Sequence, residues 1–136
     1  MDALAGIDSV ASEDDGQRRS DIQRWCEQGV VVVADHASGL LGYCVVEYTF
    51  VQQGFVTMLM VAPVARKRGV GRRLLETAAA SCKPPKLFTS TNASNQPMQR
   101  LLHQAGWSLV GLVHGLDEGD PELFYLCPRT IDASAT

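Results

Sequence analysis

Apolar and polar positions change period several times along the 136 residues, and each change marks an element. From Gln17 to Gln28 the apolar residues Ile22, Trp25 and Cys26 recur at helical spacing and Gly29 supplies a stop, so the pattern predicts a helix. Residues 2–11, DALAGIDSVA, read as a shorter helix, set apart by the polar stretch Ser12 to Gly16. Val30 to Ala34 is a continuous run dominated by β-branched residues, and the turn Asp35 to Gly39 leads it as a hairpin into Leu40 to Phe50. That second strand is apolar on both faces: Leu41, Tyr43 and Val45 alternate with Cys44, Val46 and Tyr48, the pattern of a central strand covered by helices on both sides. Gln52 to Gly54 then turns into a third apolar run, Phe55 to Val61.

Further on, Val70, Leu74, Leu75, Ala78 and Cys82 form one stripe of a helix, and Pro84-Pro85 forbids its continuation. Leu87 to Thr91 reads as a short strand, and Asn92 to Asn95 as a turn with capping chemistry. Pro97 suits the first turn of a helix that runs to about Gln104 and closes at Gly106. Trp107 to Val113 and Glu122 to Cys127 form a last antiparallel pair, joined by HGLDEGDP, and the tail from Pro128 reads as small, polar and mobile. Strands and helices interleaved in this way predict an α/β (α+β) fold in one domain, with a core from about residue 15 to 127.

Composition narrows the classes. An apolar content of 46% with 20% charged residues suits one packed core in a chain of this length. The net charge of −3, despite a local basic cluster, argues against a general nucleic-acid binder. Cys26, Cys44, Cys82 and Cys127 are widely spaced with no C-x-x-C pair, so neither a metal site nor a redox motif is expected. No apolar run reaches membrane-spanning length and no basic-then-apolar leader opens the sequence; a soluble, cytoplasmic protein is the expectation.

The basic cluster carries the candidate chemistry. Arg66, Lys67, Arg68, Gly69, Val70 and Gly71 lie where the third strand hands over to a helix, with Arg72 and Arg73 directly behind. Two glycines there permit a tight turn and leave backbone amides uncovered, so several N–H groups can converge on one anion at a helix N-terminus. A helix start normally carries Asp or Glu; five cations at the positive end of the dipole instead imply an anionic partner, a phosphate or pyrophosphate. A P-loop needs Lys followed by Ser or Thr after its second glycine, and the dinucleotide fingerprint needs a third glycine and a later acidic residue, so both fail here.

What remains, R-x-x-G-x-G after a strand ending Met-Leu-Met-Val-Ala-Pro and before a Leu-Leu-Glu helix, resembles the coenzyme-A loop of the GNAT acetyltransferase superfamily, in a small bacterial-type member. The resemblance implies the GNAT fold, a mixed and mostly antiparallel central sheet with helices on both faces. The family's usual first strand has no apolar counterpart at the start of this sequence. It further implies acetyl-CoA as cosubstrate without a metal. Arg66 through Arg73 would hold the pyrophosphate, and the backbone of Met60 and Val61 would meet the pantetheine arm, where an exposed strand amide would polarise the thioester carbonyl. The segment STNASNQPMQRLLHQAGW is similar to the family's second conserved piece, which places Asn95, with Asn92 nearby, at the pantetheine; a plain N-cap for Asn95 is compatible with that role. Many relatives carry on the following helix a Tyr that protonates the departing thiolate, and here that position is Leu102. Solvent, a bound water or Tyr125 are the remaining proton donors; His103 points about 100° away from its neighbour Leu102 and does not simply substitute.

Glu47 is the lone charge within the apolar strand Leu40 to Phe50. In a partly dry site it could take the amine proton, directly or through water, and the other reading is an exposed carboxylate near a strand end; both stay open. Asp117, Glu118 and Asp120, with Glu122, concentrate acid on one loop, either a wall that draws a cationic amine or a solvated hairpin tip. The resulting expectation is an N-acetyltransferase acting by direct transfer on a primary amine of a small molecule or peptide. Its alternative is a coenzyme-A-binding sensor or interaction module that has lost turnover. The sequence does not state the acceptor, and it leaves open whether the protein forms a homodimer.

Overall fold

The computed structural model describes residues 16–28, 30–36 and 39–128. The expected helix at 2–11, the question of a first strand and the tail beyond Pro128 lie outside the described residues. The elements follow the predicted order: α1 (Gln17–Gln28), β1 (Val31–His36), β2 (Gly39–Phe50), β3 (Gln53–Val61), α2 (Val70–Ser81), β4 (Leu87–Asn92), α3 (Gln96–Gln104), β5 (Ser108–Val113) and β6 (Glu122–Leu126). The strands form one sheet in the order β1-β2-β3-β4-β6-β5. β1/β2, β4/β6 and β5/β6 pair antiparallel and β3/β4 parallel, the mixed and mostly antiparallel sheet that was expected.

Packing divides the described residues into two compact units, the first reaching to Val46 and taking in 58–80, the second holding 47–57 and the chain from Ser81 onward. In the first, α1 lays Ile22 and Trp25 on Tyr43 and Val45 of β2, with Met58 and Met60 at the margin. The opposite side of β2 is equally close: a Cβ on Gly42 would stand 2.7 Å from the Met60 carbonyl oxygen and 3.2 Å from Leu74 of α2. Glycine at this one position lets the helix approach the sheet, so β2 is buried on both faces from Gly42 to Val46. Val70, Leu74, Leu75 and Ala78, the predicted stripe, are the buried residues of α2.

In the second unit burial alternates strictly along β4 and β6. Leu87, Thr89, Thr91, Leu123 and Tyr125 point to the buried face. α3 buries Leu102 completely, and its His103 ring meets Tyr125 edge-on at 5.7 Å. The β3/β4 ladder is short, from Gly54 to Val56, and the Thr89 hydroxyl donates to the Val56 carbonyl at 2.9 Å where it ends. A buried acceptor that would otherwise go unpaired is thereby satisfied. The other face carries four rings, Phe50, Phe55, Phe88 and Phe124, with centroid separations of 4.8 to 6.2 Å.

One turn departs from its pattern. The hairpin between β2 and β3 turns at Val51 and Gln52, not at Gln52 to Gly54, and both residues hold positive φ, 49° and 66°. Two-residue hairpins need this conformation because its twist matches that of the strands, and Asn-Gly is the sequence that adopts it without strain. A β-branched residue there works against its own Cβ, at a cost of about 1–2 kcal/mol. Replacing Val51-Gln52 by Asn-Gly should therefore raise the urea midpoint of unfolding with an unchanged m-value, a gain of about 1–2 kcal/mol; an equal or lower midpoint would show that the turn carries no strain.

Candidate functional site

β3 ends at Val61, the Ala62 amide donates to the Leu41 carbonyl at 2.7 Å, and a single 3₁₀ turn, Pro63–Ala65, carries the chain off the sheet. The Arg66 Nε donates back to the Val61 carbonyl at 3.2 Å, tying the loop to the strand it has just left. Lys67 and Gly69 then hold φ of 65° and 80°, and α2 begins at the buried Val70. Positive φ at a lysine is uncommon, and such backbone strain gathers at ligand-binding turns. The Arg73 amide reaches back to the Gly69 carbonyl at 3.1 Å, so the amides ahead of it belong to the opening turn that has no acceptor within the helix.

The charges complete the picture. Arg66, Lys67, Arg68, Arg72 and Arg73 are all exposed, and the first turn of α2 holds no acidic residue. Arg72 pairs with Glu76 one turn on, at 3.3 Å, but both side chains are more than half exposed and such pairs contribute little. A Cβ built on Gly69 would find nothing within 4 Å, so the space above the loop is open. Open amides, exposed cations and a positive helix end have the chemistry to hold a pyrophosphate. Met60 and Val61 sit half-buried at the end of β3, with the Val61 carbonyl already engaged by Arg66.

In the second unit the turn after β4 is braced from several sides. Asn95 caps α3, its Oδ1 accepting from the Met98 amide at 3.1 Å, and its side chain is exposed. The Asn92 Nδ2 donates to Asp117 Oδ2 at 2.8 Å and to the Asp120 carbonyl at 3.4 Å. Asp120 accepts from Ser94 twice, from the amide at 2.9 Å and from the hydroxyl at 2.6 Å. Gln99 reaches back from α3 to the Ala93 carbonyl at 2.6 Å, and the Ala93 amide donates to Pro121 at 2.8 Å. The acidic loop is therefore more than a solvated tip: two of its carboxylates fix the turn that presents Asn95. Sequence reasoning overlooked Ser94 and Gln99, whose only signal was a hydroxyl and an amide beside a helix cap.

Glu47 is half-buried, and the Thr57 hydroxyl donates to its Oε1 at 2.6 Å. That bond orients the carboxylate. Thr57 was not foreseen, because it lies ten residues on and only the β2/β3 hairpin brings the two together. Tyr125 is 1% exposed, and burial raises the pKa of its phenol. Its ring packs edge-on against His103 at 5.7 Å. Burial also pushes the Cys44 thiol up to about 12, so it stays protonated and serves as core rather than as nucleophile.

The clamp makes a checkable statement about stability. Asp120→Ala deletes both acceptors of Ser94 and should cost about 1–3 kcal/mol in urea unfolding. Asp120→Asn, which keeps an oxygen for the Ser94 amide, should lose less. Equal stability of all three proteins would reduce the network to incidental surface contacts.

The comparisons with known proteins agree with this geometry. The model of the acetyltransferase (GNAT) family matches residues 2–107. Among solved structures, a GNAT-family acetyltransferase from Bacillus cereus ATCC 10987 is 28% identical, superposes with a TM-score of 0.87 and shares 96% of this chain and 91% of its own. Nourseothricin acetyltransferase is also 28% identical, with a TM-score of 0.65 over 72% of this chain and 64% of its own. At 18% identity, yncA from Salmonella typhimurium, solved with its cofactor acetyl-CoA, shares the fold over 90% of this chain and 79% of its own, with a TM-score of 0.67. No curated protein sequence matches significantly. With the family's model matching most of its length, this chain belongs to the GNAT family of acetyl-CoA-dependent acyltransferases.

Proposed function

We propose that this protein moves the acetyl group of acetyl-CoA to a primary amine of a small molecule or peptide by direct transfer. The observation that carries the reading is the start of α2, where positive φ at Lys67 and Gly69, open amides and five exposed cations surround a helix end with no acid of its own. Arg66, Lys67, Arg68, Gly69, Val70, Gly71 and Arg72 hold the pyrophosphate, the strand end at Met60 and Val61 takes the pantetheine arm, and Asn92 and Asn95 shape its second contact. When bound, acetyl-CoA supplies an activated thioester. The amine nitrogen forms a bond to the acetyl carbonyl carbon, the carbon–sulfur bond breaks, and the thiolate leaves. Glu47, oriented by Thr57, receives the ammonium or amine proton directly or through water, and the thiolate takes its proton from solvent.

Asp117, Glu118 and Asp120 gather acid on one loop in which Asp117 and Asp120 bind neutral donors, Asn92 and Ser94, so the loop favours a cationic acceptor over an acidic one. The likeness to nourseothricin acetyltransferase supports including small-molecule amines in the search beside peptides. A second reading, a coenzyme-A-binding module without turnover, draws on Leu102, fully buried at the position where the family resemblance implies a tyrosine. Acetyl-CoA consumption across small cationic amines, peptides and acidic amines separates the two: turnover on any amine supports the enzyme, and tight binding without turnover on all of them supports the module.

Gly71→Asp should weaken acetyl-CoA binding steeply in calorimetry, because it sets a carboxylate and extra bulk beside the phosphates while the fold survives. Unchanged affinity would remove the pyrophosphate from this loop. Glu47→Gln keeps the shape of the side chain and its bond to Thr57 but not its basicity. Turnover should fall by roughly two to four orders of magnitude with little change in acetyl-CoA affinity; wild-type turnover would assign the proton to another group.

A further inference from the structure

Helix α1 faces the sheet with a stripe that is not wholly apolar. Arg18, Ile22 and Trp25 stand at i, i+4 and i+7, so all three project from one side of the helix. Ile22 and Trp25 are the buried residues of α1 and form a core cluster with Tyr43 and Val45, against which Met58 and Met60 pack. Arg18, half-buried at the head of the stripe, donates from Nη1 to the Met58 Sδ at 3.6 Å. A thioether is a weak acceptor to set against a guanidinium. The stripe also holds an N–H with no acceptor: Trp25 is 4% exposed, and its Nε1 is buried without a hydrogen bond. Such an atom is uncommon in a packed core and calls for an explanation.

Both observations point to the same lack, a strong acceptor between α1 and the sheet, and Met58 is the residue that can gain one. Oxidation of a thioether gives a sulfoxide, whose oxygen is a far better acceptor than the sulfur was. The Arg18 N–H also favours the reaction itself, because a donor held against the sulfur stabilises the negative charge that develops on the departing oxygen of a peroxide. Met58 is half-buried, so a small peroxide has access from solvent. Met60 and Met98 are half-buried as well, and among the described residues neither sulfur accepts a hydrogen bond. They are therefore built-in controls for the effect of the donor.

We propose that Met58 is a site of reversible oxidation by hydroperoxides. Its sulfur attacks the terminal oxygen of the peroxide: an S–O bond forms and the O–O bond breaks. The proton of the attacked oxygen passes to the departing one, which leaves as water or an alcohol. The thioether is thereby oxidised by two electrons and the peroxide reduced by two. In the product Arg18 donates to the sulfoxide oxygen, and the Trp25 N–H is the second donor on the same stripe, so the oxidised side chain fastens α1 to β3 more firmly than the thioether does.

Peptide mass spectrometry of the full chain, sampled over time in dilute hydrogen peroxide, tests this independently of acetyl transfer. Met58 should gain one oxygen about tenfold faster than Met60 or Met98, and a mixture of the two epimer-specific methionine sulfoxide reductases should remove it. Arg18→Leu keeps an apolar stem on the stripe and takes away the donor, so Met58 should then react at the rate of Met60. Hydrogen exchange of the α1 amides should slow when the wild-type protein is oxidised and stay unchanged when Met58→Leu is treated in the same way. The comparison of the three methionines in the wild-type protein carries the test if Arg18→Leu disturbs the fold. Equal rates at the three methionines, an unchanged Met58 rate in a folded Arg18→Leu variant, an oxide that survives the reductases, or α1 exchange indifferent to oxidation would overturn the proposal.

Discussion

The passage from β3 into α2 is the constraint on which the rest depends. The chain has to leave a strand, reverse within a few residues and start a helix whose first amides have no internal acceptor. It does so with Lys67 and Gly69 at positive φ and with Arg66 bonded back to Val61. Every charge nearby has the sign that opposes the helix dipole, so the loop taken alone is less stable than it could be. An anion reverses the balance: the amides gain acceptors, the dipole gains its counter-charge, and the arginines gain a partner. The packing of α2 follows from this need for rigidity. Val70, Leu74, Leu75 and Ala78 fasten it to the sheet, and Gly42 removes the one Cβ that would hold it away.

A comparable economy governs the second unit. The turn between β4 and α3 must present Asn95 in a fixed direction, yet it consists of small exposed residues that would wander alone. Asp120 and Asp117 hold it from the β5–β6 loop, Gln99 holds it from the helix, and Asn95 itself caps that helix. The donors that these carboxylates bind, Asn92 and Ser94, are neutral, so the bracing brings no cation into the loop. Glu47 shows the same dependence on neighbours, since it is oriented by a hydroxyl that only the hairpin brings near.

Sequence alone determined the elements whose signals are local. Hydrophobic period gave the order of strands and helices and the stripe of α2; the glycines and cations of 66–73 gave a candidate anion site; Asn95 and Pro97 gave a helix start. These follow from backbone sterics, side-chain spacing and the helix dipole, which act over a few residues. The β2/β3 turn escaped because Val51-Gln52 adopts a conformation that its own side chains disfavour, held by the strands on either side. Tertiary structure decided everything that needs residues distant in sequence: Thr57 against Glu47, Asp120 against Ser94, Tyr125 against His103. It also decided which apolar residues are core and which are surface. Leu109 and Val110 read like any strand, and only the sheet order, which leaves β5 at an edge, shows them exposed. Pattern reports the period of an element; what covers each face is a property of the assembled sheet.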